Sequence, residues 1–321
     1  LYTGKTLIEG RLSLSGRPDC LPTNTDLLMA NAAWAELDLN ANDQTVRSLE
    51  GGGTLGGNVV LGGATLTVAP NQVVTYGGSL RGGGNLSKLG SGTLVLSGSN
   101  GFTGTTTIGA GALIINGPLT DQVRAEGGTL GGCGSIAGQV TISAGGLLDL
   151  PMNPKPLTVN NSLVLMPGST TRVELDAAHG NCGRIQNMSV ALYGGVLLIT
   201  NVSPTCAFTN GQRFQLFGAT LGRGNFSHIQ SDPGAGLAWQ FDPGSGVLIA
   251  VARPQLRLTV TGSKSATLAW SEQGFRLQVM TNSSGIIGGG KWVDYPTALG
   301  IPGRLPVDPA HPAVFFRLVS P

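Results

Sequence analysis

Short runs in which Leu, Val or Ile alternate with Thr, Ser or Asn recur along the chain, each introduced by a glycine pair or a Gly-x-Gly. The phrase stands as Glu9-Gly10-Arg11-Leu12-Ser13-Leu14, as Gly62-Gly63-Ala64-Thr65-Leu66-Thr67-Val68 and as Gly90-Ser91-Gly92-Thr93-Leu94-Val95-Leu96. It returns at Gly111-Ala112-Leu113-Ile114-Ile115, Gly127-Gly128-Thr129-Leu130, Gly145-Gly146-Leu147-Leu148-Asp149-Leu150 and Gly194-Gly195-Val196-Leu197-Leu198-Ile199. Alternation of period two, rich in β-branched residues, predicts a strand with one buried face. Glycine is expected to supply the positive φ of each tight corner.

The steps Leu94 to Leu113, Leu113 to Leu130 and Leu130 to Leu147 are 19, 17 and 17 residues. A period in this range predicts a solenoid. No copy carries enough apolar residues to bury a core alone, so the core must form between stacked copies. Parallel strands of successive coils then lie about 4.8 Å apart, and about a dozen coils make a rod on the order of 60 Å long.

Two stretches depart from this rhythm. Arg17 to Ala33 holds Pro18, Pro22 and Asn24, which predict a loop insertion near 17–33, with a helical turn over Asp26–Ala30. Pro151, Pro154 and Pro156 predict a corner near 151–156. The rhythm resumes, and Phe214–Phe217, His228–Ile229, Trp239–Phe241 and Val247–Val251 are read as the last coils. Past Arg253-Pro254 the glycine repeat stops and Trp270, Trp292 and Tyr295 enter. Five or six short strands there predict a small antiparallel β-sandwich. The expected division is therefore 1–252 for the rod and 253–321 for the sandwich.

Leu89 to Gly117 resembles the passenger-associated transport repeat of autotransporter-type secreted bacterial proteins. The likeness rests on Lys88, Gly90, Gly92-Thr93-Leu94, Leu96-Ser97-Gly98, Asn100, Phe102-Thr103-Gly104, Thr106, Ile108, Gly111 and Leu113. Leu37-Asp38-Leu39-Asn40 is similar to the segments between such repeats, and Gly127-Gly128-Thr129-Leu130-Gly131-Gly132 to those that close them. Leu268-Ala269-Trp270, Gly274-Phe275-Arg276-Leu277-Gln278, Trp292 and Phe315-Phe316-Arg317-Leu318 resemble fibronectin-type-III-like segments of large secreted bacterial proteins. The resemblance implies an all-β chain, a right-handed parallel β-helix followed by that module, secretion, and a surface or matrix role without catalytic residues.

Composition supports this and narrows the partners. Of 321 residues 52 are Gly, and charged residues are 11 %, about half the usual ~25 %. A net charge of +2 with basic residues scattered singly gives no nucleic-acid footprint. From Gly51 to Thr120 there is no Asp or Glu. No run of about 18 apolar residues predicts a membrane span. The chain begins at Leu1 without Met, and a mature or trimmed secreted product is expected.

Four cysteines, Cys20, Cys133, Cys182 and Cys206, form no C-x-x-C pair. Cys182 and Cys206 are about one coil plus a loop apart and are expected to bridge. Cys20 and Cys133 are several coils apart and could pair only if a loop leaned along the rod. Asp149, Glu174 and Asp176 are the one close acidic group of the rod, and paired carboxylates can serve glycoside hydrolysis. No Lys or Arg completes a constellation with them, so solvated corner residues are expected. His179, His228 and His311 lack metal-ligand spacing, and Gly51-x-Gly53-x-x-Gly56 lacks the strand–helix context of a dinucleotide site. No cofactor or metal is expected.

Three functions compete on these grounds. One is a fibre or matrix subunit joined head to tail to copies of itself. There Leu1, Tyr2, Thr3, Lys5, Leu7, Ile8, Leu12 and Leu14 form a half-repeat, matched to Phe102–Gly117, that docks on a neighbour by strand addition, with the C-terminal module clasping the joint. Another is an adhesin stalk whose last module meets surface polysaccharide through Trp270, Trp292 and Tyr295. The third is a polysaccharide-degrading β-helix.

Overall fold

The computed structural model describes residues 4–253 and, past them, residues 255–262, 265–269, 276–282, 292–294, 303–306 and 313–319. Two compact units emerge, Leu1–Val251 and Ala252–Pro321. Among the described residues every regular element is a strand.

The first unit is a parallel β-helix. Its first sheet stacks eleven strands in chain order, from Lys5–Ile8 and Asp26–Met29 through Thr93–Leu96, Ala112–Ile115 and Thr129–Gly132 to Val196–Asn201 and His228–Gln230. Ten steps of about 4.8 Å make this face about 48 Å tall, shorter than a dozen coils would give. A second sheet stacks Arg11–Ser13, Glu36–Asp38, Asn58–Val60, Leu80–Gly82 and Gly101–Phe102. A third carries Gln44–Val46, Thr65–Val68, Asn85–Lys88, Thr105–Ile108 and Gln122–Ala125. One coil visits the three faces in turn.

Alternation decides which side chain faces in. Along Thr93–Leu96, Leu94 and Leu96 are fully buried while Thr93 and Val95 face out. In-register pairing stacks Leu94 on Leu113 and Leu113 on Leu130. Each fully buried Leu contributes roughly 1.5–3 kcal/mol, and its partners are the coils above and below. The next rung is Leu148, not Leu147: Leu130 pairs with Leu148, and Leu147 faces outward. In a leucine pair the spacing alone does not choose between two faces of a pleat.

The early coils also differ from expectation. Asp26–Met29 forms no helical turn but is a strand of the first sheet, because Leu27 and Met29 bury at period two against Leu49 and its neighbours. The excursion that interrupts the rhythm is therefore confined to the residues before Asp26. Lys5–Ile8 lies in the first sheet, beside Asp26–Met29, whereas Thr105–Ile108 lies in the third. The similarity between residues 1–16 and 102–117 thus joins segments on different faces.

Ile185–Tyr193 merges two faces: its start pairs with Leu157–Val159 and its end with Ser162–Leu165. A bulge between Ile185 and Met188, with Asn187 at φ 67°, bends the strand round the corner. Of the segments read as last coils, His228–Ile229 does lie on the last strand of the first sheet and Phe217 begins a strand parallel to Ile185–Tyr193, but the others do not continue the stack. Arg213–Gln215, Leu237–Asp242 and Val247–Ala252 form a three-stranded sheet of their own, with Phe214 antiparallel to Leu248. Tyr193 and Phe217 of the last rungs meet Phe241 at ring separations of 4.9 and 5.9 Å, and Phe226 closes the group 5.0 Å from Phe241. Phe208 and Phe214 pack on Trp239 in the same way. Aromatic rings thus seal the core at this end.

Among its described residues the second unit holds two three-stranded antiparallel sheets. One has Arg257–Gly262, Ser265–Ala269 and Gly303–Pro306; the other has Val293–Asp294, Arg276–Asn282 and Ala313–Val319.

Many corner glycines are needed for closeness rather than for positive φ. A Cβ on Gly78 would lie 2.0 Å from the carbonyl oxygen of Gly57, one on Gly98 2.0 Å from that of Gly78, and one on Gly117 2.0 Å from that of Gly98. Gly134 continues the column at 2.3 Å from Gly117. None of these four has a left-handed φ. Gly98→Ala is therefore expected to cost ~3 kcal/mol or more, since backbone on the adjacent coil cannot yield. Gly101→Ala, where a Cβ meets nothing within 4 Å, should stay within about 1 kcal/mol of the parent. Thermal unfolding of both variants checks this, and equal losses would refute the column.

Candidate binding surfaces

The acidic group flagged as an enzyme hypothesis is held in structural contacts. Arg172, directly opposite Asp149 in the ladder, grips it through two bonds of 2.7 and 2.6 Å. A basic partner is thus present where none was expected, one coil away and out of sight of local spacing. Glu174 accepts the Met152 N–H at 2.9 Å and so fastens the proline corner. Asp176 accepts the Ser203 hydroxyl at 2.6 Å, bonds His179 Nδ1 at 2.6 Å and takes the Ala178 and His179 amides. The Ser203 hydrogen bond, with help from His179, brings its carboxyl down to about 2. This is a turn staple: Ser203 and His179 both address the carboxylate and not each other.

His228 lies exposed on the last strand of the first sheet, and His311 is outside the described residues. Among the described residues no three His, Cys, Asp or Glu side chains gather as metal ligands. Gly53 and Gly56 pair across a tight hairpin, their N–H···O bonds 2.9 and 3.3 Å long, so the glycine string at 51–56 is a protruding corner.

All four cysteines are free, which corrects the expected Cys182–Cys206 bridge and leaves Cys20 and Cys133 unpaired with each other. Cys182 sits on Asn181–Cys182, which turns back antiparallel on Leu175–Asp176, and its thiol donates to the Gln215 carbonyl at 3.4 Å. Burial pushes that thiol up to about 11. Cys206 lies in a turn fixed by its own N–H to Ser203 and by Asn201 to its carbonyl. Cys20 donates to the Arg17 carbonyl at 2.8 Å, and Cys133 to Asn116 at 3.5 Å. Asp26–Met29 and Thr129–Gly132 are separated by five strand steps, about 24 Å, against the ~7 Å limit for bridged Cα atoms.

Of the residues read as a docking half-repeat, Leu1, Tyr2 and Thr3 are outside the described residues. Ile8 and Leu14 are buried and Leu12 packs on the same core. Lys5 and Leu7 face out, Leu7 being 51 % exposed. Trp270 and Tyr295 lie outside the described residues. Trp292 is half-buried, and the Arg317 guanidinium lies 4.3 Å from its ring centre, held by Gln278, so one ring face is already covered.

A different aromatic stands free. Trp34 is 71 % exposed, on the turn that leads from the first sheet to the second. That turn supports the Gly53–Gly56 hairpin of the next coil. The Leu55 N–H donates to Asn31 at 2.9 Å, and a Cβ on Gly56 would strike the Ala32 carbonyl. On Trp34's other side, the Ala35 carbonyl accepts from both Gly57 and Asn58 at 3.0 Å. Separately, the hairpin and the coils that follow it form a groove of about 760 Å³, lined by Gly53–Gly56, the Gly77–Ser79 and Ser97–Ser99 corners, Asn58 and Arg81; Trp34 is not part of its lining. Arg81 is its one charged lining residue, bonded only to the Ser79 hydroxyl at 3.2 Å. The sequence signal for Trp34 was its isolation: it is the sole aromatic between Tyr2 and Tyr76, flanked by alanines.

Two buried charges sit inside the coil. Lys88 is fully buried, and its ammonium donates to the carbonyls of Leu89, Gly90 and Ala110 at 2.7–3.0 Å, with burial drawing it down to about 8. Asp121 is 4 % exposed; Thr106 donates to one of its oxygens at 2.7 Å, and the other has no partner. Burial raises its carboxyl to about 7.

Lys88, Phe102 and Thr106 fall within the stretch that comparison with known families singles out. Residues 86–115 match the family model described as Passenger-associated-transport-repeat. Over these residues the chain is similar to that repeat. In the structure this stretch is one full turn of the β-helix, from Asn85–Lys88 round to Thr105–Ile108 on the third face, plus the next strand, Ala112–Ile115, on the first. Its lysine caps a corner, its phenylalanine is fully buried, and its threonine holds the carboxyl of the following coil. The chain is also similar to the Adhesin BmaC autotransporter of Brucella suis biovar 1 (strain 1330), at 38 % identity over 136 residues. That match covers 41 % of this chain and 4 % of the relative's length.

Asp121 makes stability depend on pH. Its folded-state carboxyl titrates near 7 and its unfolded-state one near 3.8, so the folded form holds a proton between these values that the unfolded form has lost. Its contribution is therefore fullest below about pH 4 and is lost as pH rises through about 7. Asp121→Asn should be more stable than the parent at pH 8, by up to ~2–4 kcal/mol, and should lose this part of the dependence. Thermal unfolding at pH 4.5, 6 and 8 measures it; parallel curves for parent and variant would refute the assignment.

Proposed function

We propose that this chain is a secreted, surface-displayed segment of adhesin type, in which the β-helix acts as a rigid presenting stalk. The carrying observation is the unbroken in-register ladder of the first sheet from Lys5 to Gln230, with one hydrophobic core running beside it. The match to the transport repeat and the likeness to a protein named an adhesin autotransporter support a secreted, cell-surface location. A stalk needs stiffness over tens of ångströms and little chemistry of its own, and stacked coils supply that. Beads coated with the full chain should attach to animal-cell monolayers or to polysaccharide-coated surfaces several-fold better than albumin-coated beads. Attachment no better than albumin on both surfaces would overturn the reading.

The finer reading is end-to-end assembly of copies through residues 1–16. The outward row of Lys5–Ile8, with Leu7 exposed, favours it as an edge for strand addition. It must overcome the aromatic seal at the other end, which leaves no apolar column for a neighbour to continue. Negative-stain images of the full chain should then show fibres that vanish when residues 1–16 are deleted. Single short rods at high concentration would refute assembly and leave the stalk intact.

A further inference from the structure

The geometry points to the groove between the proline corner and the Asn181–Cys182 turn-back as a binding site for a tetrahedral oxyanion, the phosphate or sulfate ester of a small ligand, gripped jointly by Arg184 and Arg213. Such a site stands whether or not the chain acts as a stalk.

The groove measures about 580 Å³, and three pieces of chain wall it. Met152–Pro154 come from the corner, Gly180–Cys182 and Arg184 from the turn-back, and Arg213 with Gln215 from the start of the terminal sheet. The three are locked together. A Cβ on Gly183 would strike the carbonyls of Leu150 and Pro151, so the turn-back presses on the corner. The Cys182 thiol donates to the Gln215 carbonyl at 3.4 Å, and the Ile185 N–H donates to the Leu216 carbonyl at 3.0 Å. Gln215 is itself fastened, its side-chain amide donating to the Phe217 and Ser245 carbonyls at 2.6 and 2.7 Å.

Alternation then aims the cations. Arg184 stands between buried Gly183 and Ile185, and Arg213 precedes buried Phe214, so both arginines are exposed and both line the groove. Among the described residues neither guanidinium forms an ion pair or a hydrogen bond. No described Asp or Glu lines the groove. The carboxylates of adjoining residues are already engaged: Glu174 by the Met152 N–H, and Asp176 by Ser203 and His179. Asp242, whose charge Arg213 feels, accepts the Ser245 hydroxyl at 2.5 Å and the Gly244 N–H at 3.0 Å. Two like charges facing one groove repel each other, and an anion between them relieves that repulsion.

The donor set narrows the anion. One guanidinium already satisfies both oxygens of a carboxylate. Two such forks, with the Asn153 and Asn181 side chains beside them, offer more donors than a carboxylate accepts, and they match an ester with three terminal oxygens. The described lining holds no aromatic ring on which a base could stack, and two cations at one spot are not the row that a nucleic-acid backbone needs.

Calorimetry on the full chain tests this at about 0.15 M salt, where loose surface attraction is screened within ~8 Å. The probes are glucose 6-phosphate, glucose 6-sulfate, glucuronate and glucose. Saturable binding of an ester is expected, and whichever ester binds more tightly identifies the source of the oxyanion. Glucuronate should bind at least tenfold more weakly, and glucose not at all. Arg184→Ala and Arg213→Ala should each weaken ester binding at least tenfold with an unchanged unfolding temperature, and Arg184→Lys should recover part of the loss. Arg81→Ala, which removes a lone arginine on the second sheet, should bind like the parent. The site is overturned if neither ester binds saturably, if glucuronate binds as tightly as the esters, or if either groove variant binds like the parent. An equal loss in Arg81→Ala would overturn it too, marking an adventitious ion only.

Discussion

Everything in the first unit answers to one distance, the spacing of hydrogen-bonded parallel strands. Once coils stack about 4.8 Å apart, every corner must pass over the corner beneath it at that height. The chain can do so only where the crossing residue carries no side chain. Hence the file of Gly78, Gly98, Gly117 and Gly134, each lying against a carbonyl of the coil before. The leucine rows inside and the outward row of Thr45, Thr67, Ser87 and Thr107 are then consequences: in-register stacking puts like on like.

The same constraint explains the polar groups found inside. A corner that turns without a side chain still exposes carbonyls, and inside the column no water reaches them. Lys88 resolves this by ending its own strand with an ammonium that gathers three carbonyls from two coils. Asp121 is the less satisfied case, with one oxygen held by Thr106 and the other bare. Buried polar groups of this kind fix which coil follows which, because a slip by one residue would strand them.

The parallel stack was legible in the chain because its two periods are simple: two residues along a strand, and 17 to 19 around a coil. Legibility failed where neighbours in space are not neighbours in sequence. The Arg172–Asp149 pair spans a coil, so no local pattern showed it. Asp26–Met29 was hidden by the prolines before it, although Leu27 and Met29 carried the right alternation. The antiparallel seal was misread as further coils because Phe214, Trp239 and Val247 keep period two, and alternation does not distinguish parallel from antiparallel partners. The cysteine bridges failed because separation counted in coils says nothing about which way a thiol points. Trp34 escaped notice because nothing in the repeat requires it, and for that reason it stands apart from the scaffold.

The glycine file has a consequence for how such a chain can change in length. Each glycine lies against its counterpart in the adjoining turn, so a complete turn could be removed or duplicated and the remaining counterparts would meet again. Loss of a single residue, by contrast, would throw every inward side chain outward and bring a Cβ onto a carbonyl. Growth and shortening of this scaffold are therefore quantised: the unit of inheritance is the whole turn.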